Sequence, residues 1–517
     1  MRVTVAARSR RLTVRAVAAV AAFAVLAGCT GGGAQPQAPT AATSAPADTK
    51  DPANDPALGT FYGQKPSWSS CRNDFQCAKV TVPLDWSKPA GDTITLSLVK
   101  LPASGKKIGT MLLNPGGPGV SSVEWFRGSP GALGSRVRQS YDAVAFDPRG
   151  VGQSTPLKCL ADDEVDGWLS ADATPDSDAE AAKVVEDAKK YGAECEQRTG
   201  ALLAHVDTVS VVKDMDVIRA ALGEKVVSYY GWSYGTFIGA WYAQLFPWRV
   251  GRMVLDGAVD PSLNAQQYSE GQAQGFSRMG TAFVEDCLKQ KGCPLRGTKE
   301  QAFAQLQTLV KDADTDPLPT SEGRELTQSL MTTGMAMALY LPAFWPQLRD
   351  ALTEAFKGQG DGLLDLADAY NERRPDGTYA QTLQATGPIF CLDRSDTRSL
   401  DQVKADAAAW QKKYPPLGDT VAWSSLSCAV WPIKPAVAPQ KLTAPGAPAI
   451  LVVGTTGDPA TPYEWAQSLA GQLSKGVLVT FEGEGHTAYR RGSKCVDTTI
   501  EDYLVAGTVP KADVTCS

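Results

Sequence analysis

The chain has 517 residues, 43% hydrophobic and 21% charged, with 48 Gly and 34 Pro. That ordinary globular balance excludes collagen-like, coiled-coil and wholly disordered classes. Residues 1–28 hold five arginines and no acid, so the formal charge of −6 becomes −11 beyond them, with 45 basic against 56 acidic residues. The acidic balance and the lack of a long basic run exclude nucleic acid as a partner, since such binding rests on phosphate neutralisation. Two histidines, not paired at metal-ligand spacing, exclude a His-built zinc centre, and no cofactor is expected.

The N-terminus reads as an export signal. Arg2, Arg8, Arg10, Arg11 and Arg15 precede an apolar stretch from Ala16 to Ala27, too short to span a bilayer comfortably. Leu26-Ala27-Gly28-Cys29 has the form of a bacterial lipobox, so Cys29 is expected to carry diacylglycerol and tie the chain to the outer face of the cytoplasmic membrane. Ser9-Arg10-Arg11 resembles a twin-arginine start, though the residues after it fit poorly. Residues 30–58, dominated by Gly, Ala, Pro, Thr and Ser, read as a flexible tether. Ten cysteines remain after Cys29, an even number that suits five disulfides in an exported protein. Short loops close most readily, so the expected pairs are Cys71–Cys77, Cys159–Cys195, Cys287–Cys293, Cys391–Cys428 and Cys495–Cys516.

From about residue 78 the pattern becomes strand, loop, helix. Residues 80–82 and 93–98 alternate like paired antiparallel strands. Residues 110–113 form a short buried run ending at Asn114-Pro115-Gly116-Gly117-Pro118-Gly119. Residues 141–146 form another, ending at Asp147-Pro148-Arg149-Gly150-Val151-Gly152-Gln153-Ser154. After a polar helix over 178–198, Asp207 is placed to cap a helix to Leu222, with Gly223 at its end. Residues 226–230, 252–255, 449–453 and 477–481 complete the strands, the last run being the final one. Apolar strands alternating with helices indicate a mostly parallel α/β sheet covered on both faces. Residues 262–436 break the rhythm and read as an inserted helical cap.

Gly231-Trp232-Ser233-Tyr234-Gly235 follows a strand and opens a helix, the setting of a nucleophile elbow. Its glycines keep a strained turn free of side chains, and the helix N-terminus favours developing negative charge. A serine nucleophile needs a base. Of the two histidines, His205 precedes a helix upstream, whereas His486 lies in a loop just after the final expected strand, at the same sheet edge as the elbow. His486 is therefore the expected base and His205 a structural residue. Asp458 leaves the preceding strand and supplies the orienting carboxylate in the order Ser, Asp, His. Thr461-Pro462-Tyr463-Glu464 then reads as a capping box with proline at the first helical position. Two backbone N–H groups should meet the oxyanion, one from Tyr234 and one from the Gly-rich loop, centred within one residue on Gly117.

Taken together, these segments resemble the α/β-hydrolase serine peptidases, and specifically the secreted actinobacterial tripeptidyl aminopeptidases within the prolyl aminopeptidase family. The resemblance spans roughly residues 65–517 and includes Phe390-Cys391-Leu392-Asp393 and residues 428–432. Prolyl aminopeptidases usually have His-Gly-Gly-Pro-Gly at the oxyanion loop. Here Asn114-Pro115 precede Gly-Gly-Pro-Gly, which suits the tripeptidyl branch. The resemblance implies an α/β-hydrolase fold and release of short peptides from free N-termini, with an esterase or lipase using the same triad as the alternative. The expected organisation is a signal peptide over 1–28, lipidated Cys and linker over 29–58, core over 59–261, cap over 262–436, and core again over 437–517. Asp256, Asp260, Glu124 and the cap acids are all candidates to meet the substrate's amine. The sequence carries no signal for oligomeric state.

Overall fold

Short runs of Val, Ile, Leu, Tyr and Trp bounded by Gly, Pro, Asn and Asp build one ten-stranded sheet. The computed structural model describes residues 35–40 and 51–517 apart from Ser395. The expected signal peptide and Cys29 lie outside the described residues. In chain order the strands are β1 Ser69–Arg72, β2 Phe75–Pro83, β3 Thr93–Leu101, β4 Gly109–Asn114, β5 Tyr141–Phe146, β6 Val227–Trp232 and β7 Val250–Asp256. Then come a two-stranded hairpin, β8 Leu318–Pro319 with β9 Glu325–Leu326, and finally β10 Ile450–Gly457, β11 Gly476–Glu484 and β12 Val514–Cys516. The sheet order is β1-β2-β3-β5-β4-β6-β7-β10-β11-β12, antiparallel as far as β5 and parallel beyond it.

Alternation puts each strand's side chains into two cores. Leu112, Tyr229, Leu255 and Val452 enter one, and Met111, Leu113, Tyr230, Val254 and Val453 enter the other. The sheet is thus buried on both faces, as its apolar runs require. Between β7 and β10 the described residues form nine α-helices. Buried residues from Phe276 to Leu417 make a further core of their own. The helix Thr382–Asp393 departs from this division, because Ala385, Ile389 and Leu392 join the sheet's core.

Two expectations need correction. The run at 477–481 is not the last strand: β12 adds to β11 in parallel, and Cys516 is bonded to Cys495. Three residues are too short to show a period. The tether also does not run to residue 58. Asp51 and Asp55 accept from the N–H groups of Ala53 and Ala57, starting two 3-10 turns, and Asp51 pairs with Arg249 at 2.6 Å. Proline at each turn's first position and two such caps outweigh the polar composition. Upstream, the N–H of Gln37 donates to the carbonyl of Val505 at 3.0 Å. All five expected nearest-neighbour disulfides are present.

Arg149, in the turn after β5, is fully buried and has a partner for every N–H. Nε and Nη2 bind the two oxygens of Asp214 at 2.7 Å, Nη1 donates to the carbonyls of Leu84 and His205, and Nη2 donates to that of Pro83. Removing one member of a buried pair leaves an uncompensated charge, which costs about 3–5 kcal/mol. Arg149→Met is therefore expected to lower the unfolding free energy by about that amount, read from urea transitions. A loss below about 1 kcal/mol would show that Asp214 is satisfied without it.

Candidate active site

The chain passes from β4 to β5 on one side and later enters β6 on the other, so strand order reverses between β4 and β6. The crevice beyond the carboxyl ends of such neighbours is where open α/β sheets bind ligands. The Gly-rich loop leaves β4 there and Ser233 leaves β6 there.

Ser233 sits between β6 and the helix Tyr234–Leu245 with φ 54° and ψ −127°, a conformation costly for a residue with a Cβ. Its surroundings enforce it. A Cβ on Gly231 would overlap the carbonyl of Gly235, and one on Gly235 would lie 2.5 Å from the carbonyl oxygen of Asn114. The N–H of Ser233 donates to the carbonyl of Asp256 at 2.9 Å. The following residue, Gly257, lies so close to His486 that a Cβ would come within 3.2 Å of Cε1. Adjacent strand ends therefore bring the elbow and the histidine loop together.

His486 Nδ1 lies 2.9 Å from both oxygens of Asp458, which is buried. That contact leaves Nε2 as the ring's free acceptor. Asp458 also accepts from the N–H groups of Ala460 and Thr461 at 2.9 Å, from Thr487 N–H at 3.2 Å, and from the Thr461 hydroxyl at 2.9 Å. Thr461 is thus not the expected helix cap. The helix Tyr463–Gln472 starts after Pro462 with no side-chain cap, because the hydroxyl is turned towards Asp458 and lies 3.3 Å from His486 Nδ1. The histidine's backbone N–H donates to the carbonyl of Tyr340, whose ring meets the imidazole edge-on at 5.6 Å.

Asp256 ends β7 and is fully buried. It accepts from the N–H groups of Ala488 and Tyr489 at 2.9 and 3.0 Å and from the Tyr230 hydroxyl at 3.0 Å. Desolvation pushes its carboxyl above the usual range, while these hydrogen bonds oppose the shift. It anchors the His486 loop and is sealed from any substrate amine. Asp260 is committed to Ser262 and Gln472. Glu124 pairs with Arg127 at 2.7 Å. His205 lies in a 3-10 helix, where its carbonyl accepts from Arg149.

Around the Gly-rich loop, Gly116 comes nearest the elbow. A Cβ on it would lie 2.7 Å from the Trp232 carbonyl oxygen and 2.8 Å from Ser233 Cβ, and its φ is 105°. Its N–H is held by Asn114 Oδ1 at 2.9 Å. The N–H of Gly117 has no protein acceptor among the described residues, which favours Gly117 over its neighbour as a free donor. Glu372 was not singled out by sequence. It is exposed and has no ion-pair partner among the described residues; partial desolvation raises its carboxyl above the usual range, while the Thr382 hydrogen bond and the Arg374 charge oppose the shift. The Thr382 hydroxyl donates to it at 3.2 Å, and Thr382 packs directly against Gly119. No local pattern marks it, because its position depends on the fold of the helical segment.

Residues 414–516 match the family described as TAP-like protein. Over 483 residues the chain is 38% identical to serine protease Hip1 of Mycobacterium tuberculosis, covering 88% of this chain and 91% of that one. It is 34% identical over 503 residues to carboxylesterase B of the same species, covering 93% and 95%. It is 30% identical over 469 residues to tripeptidyl aminopeptidase of Streptomyces lividans, covering 87% and 86%.

Apart from His486, Thr461 is the side chain that donates to Asp458 among the described residues. Thr461→Val keeps the shape and removes the hydroxyl. Its kcat/KM is expected to fall about tenfold, or about 1.4 kcal/mol, with Thr461→Ser near the parent. Steady-state hydrolysis by the two variants checks this. Unchanged kcat/KM in Thr461→Val would show that the hydroxyl contact with Asp458 is not needed.

Proposed function

From the premise that this chain belongs to the α/β-hydrolase serine peptidases of the tripeptidyl aminopeptidase group, we propose that it is an exported, lipid-anchored exopeptidase releasing short peptides, tripeptides foremost, from free N-termini. The observation that carries the reading is the His486–Asp458 pair at 2.9 Å, on the sheet edge that also bears a serine in a positive-φ elbow.

In this reading His486 Nε2 takes the proton from Ser233 as its oxygen attacks the scissile carbonyl. Asp458 keeps Nδ1 protonated and stabilises the imidazolium. The N–H groups of Gly117 and Tyr234 meet the oxyanion, the imidazolium gives its proton to the leaving amine, and water then hydrolyses the acyl-enzyme by the same steps. Residues 262–436, apart from the helix Thr382–Asp393 that packs on the sheet, act as a cap that limits access to chain ends. Cys29 carries the lipid. The carboxylesterase B relative supports a second reading, ester hydrolysis by the same groups. A peptide anilide beside a p-nitrophenyl ester separates the two, with the anilide expected to give the higher kcat/KM.

Ser233→Ala is expected to fold and lose turnover and fluorophosphonate labelling. His486→Ala should be comparably inactive, and His205→Ala should keep substantial activity. Reversal of the two histidine variants would overturn the assignment of the base.

A terminal amine is largely cationic near neutral pH and needs an acidic or carbonyl partner when buried. Glu372, bonded to the Thr382 that packs on Gly119 and in no ion pair among the described residues although the Arg374 charge acts on it, is the carboxylate assigned to meet it. Acetylating the substrate's amine should lower kcat/KM at least about tenfold, and Glu372→Gln should abolish most of that discrimination. Mass spectrometry of paired free and acetylated peptides reads both. Equal cleavage of the pair by the parent enzyme would mark an endopeptidase or esterase.

A further inference from the structure

The helix Thr382–Asp393 touches both sides of the oxyanion site. Near its start, the Thr386 hydroxyl donates to the carbonyl of Pro118 at 2.8 Å. Gly119 is packed so tightly on this turn that a Cβ would lie 2.7 Å from the carbonyl oxygen of Thr382 and 3.0 Å from Ala385 Cβ. At its end, Asp393 is buried and accepts from Thr208 N–H at 2.7 Å, from the Thr208 hydroxyl at 2.6 Å, and from the Tyr234 hydroxyl at 3.0 Å. The Tyr234 and Thr208 hydroxyls also meet directly. The helix is fixed between these contacts: Ala385, Ile389 and Leu392 lie in the sheet's core, and Cys391 is bonded to Cys428.

A buried cation follows the carboxylate at the helix end. Arg394 is buried, and its Nε and Nη2 have no hydrogen-bond acceptor among the described residues. Its guanidinium lies over the rings of Tyr268, Phe390 and Phe237 at 4.4, 4.9 and 4.7 Å. No salt bridge joins it to Asp393. Burial pushes the Asp393 carboxyl up to about 6, and the Thr208 hydrogen bonds and the Arg394 charge oppose that shift. The cation therefore favours the form of Asp393 that accepts from all three donors.

We propose that Asp393 is a positioning residue for hydrolysis: through the Tyr234 hydroxyl it orients the peptide whose N–H meets the oxyanion, while Thr386 on the same helix holds the loop bearing the opposite donor. This rests on the assignment of Ser233, Gly117 and Tyr234 made above. One rigid helix then sets the separation of two donors that come from different strands, and a donor displaced by about 1 Å forfeits much of its effect on the transition state.

The test uses Tyr234→Phe, Asp393→Asn and the double variant of the full enzyme, with Thr386→Val as a probe of the other side. Tyr234→Phe removes the hydroxyl and keeps the N–H and the ring, so it serves even where Asp393→Asn fails to fold. For folded variants, kcat is expected to fall about tenfold with KM within about twofold, and the double variant should be no slower than the slower single one. A peptide boronate, which forms a tetrahedral adduct on the serine, should bind about tenfold more weakly, whereas the peptide product should bind as before. Unchanged kcat in Tyr234→Phe, or losses that multiply in the double variant, would overturn the proposal. Activity retained in Ser233→Ala would instead overturn the site assignment itself, so the two failures are distinguishable.

Discussion

The positive φ of Ser233 is the constraint on which the site depends. A side chain in that conformation is held only where its surroundings leave no alternative. Here β6 ends against the Asn114 carbonyl and the helix Tyr234–Leu245 begins at once, so Gly231 and Gly235 face backbone where no Cβ fits. The turn presents the serine hydroxyl at the crevice instead of burying it between sheet and helix. Because Gly116 comes from the neighbouring strand's loop and presses on the same turn, elbow and oxyanion loop are set against each other by packing.

The histidine loop is held by a different means. It follows β11, two strands beyond β7, and must reach back across the sheet edge towards Ser233. Asp256 spans part of that distance from the end of β7, accepting two backbone N–H groups of the loop while its own carbonyl receives the N–H of Ser233. One buried residue thus ties nucleophile and base loop through its side chain and main chain. Desolvating that carboxylate is costly, and three hydrogen bonds offset the cost.

Much of the scaffold was legible because its signals are local. β5 spans the same Tyr141–Phe146 as the apolar run in the sequence, and Asp207 caps the helix after it through the N–H of Ser210. Asp458 and His486 could be singled out because each follows a strand and the chain has so few histidines, and the structure places them in contact. What escaped is tertiary. β12 is too short to alternate. Thr461 satisfies the local rule for a cap, yet a carboxylate three residues earlier takes its hydroxyl. Asp393 meets Thr208 and Tyr234 across 185 and 159 residues, a separation no local pattern encodes.

The same distinction divides the helical segment between β7 and β10. Residues such as Phe276, Leu339 and Leu352 are buried against one another, whereas Ala385, Ile389 and Leu392 are buried against the sheet. The site takes something from each part. Tyr340, at the C-terminal end of a helix in the first part, receives the N–H of His486 and backs its ring. Asp393, from the second, binds the side chain of Tyr234. Contiguity in sequence is therefore a poor guide to which residues form one mechanical unit. By packing, Thr382–Asp393 belongs with β4 and β6, whose loops it braces, although the chain reaches it only after passing through most of the separate core, from Phe276 to Ala367. Disruption of that separate core would act on the site first through the backing of His486, while the contacts of Asp393 and Thr386 would still be carried by the sheet.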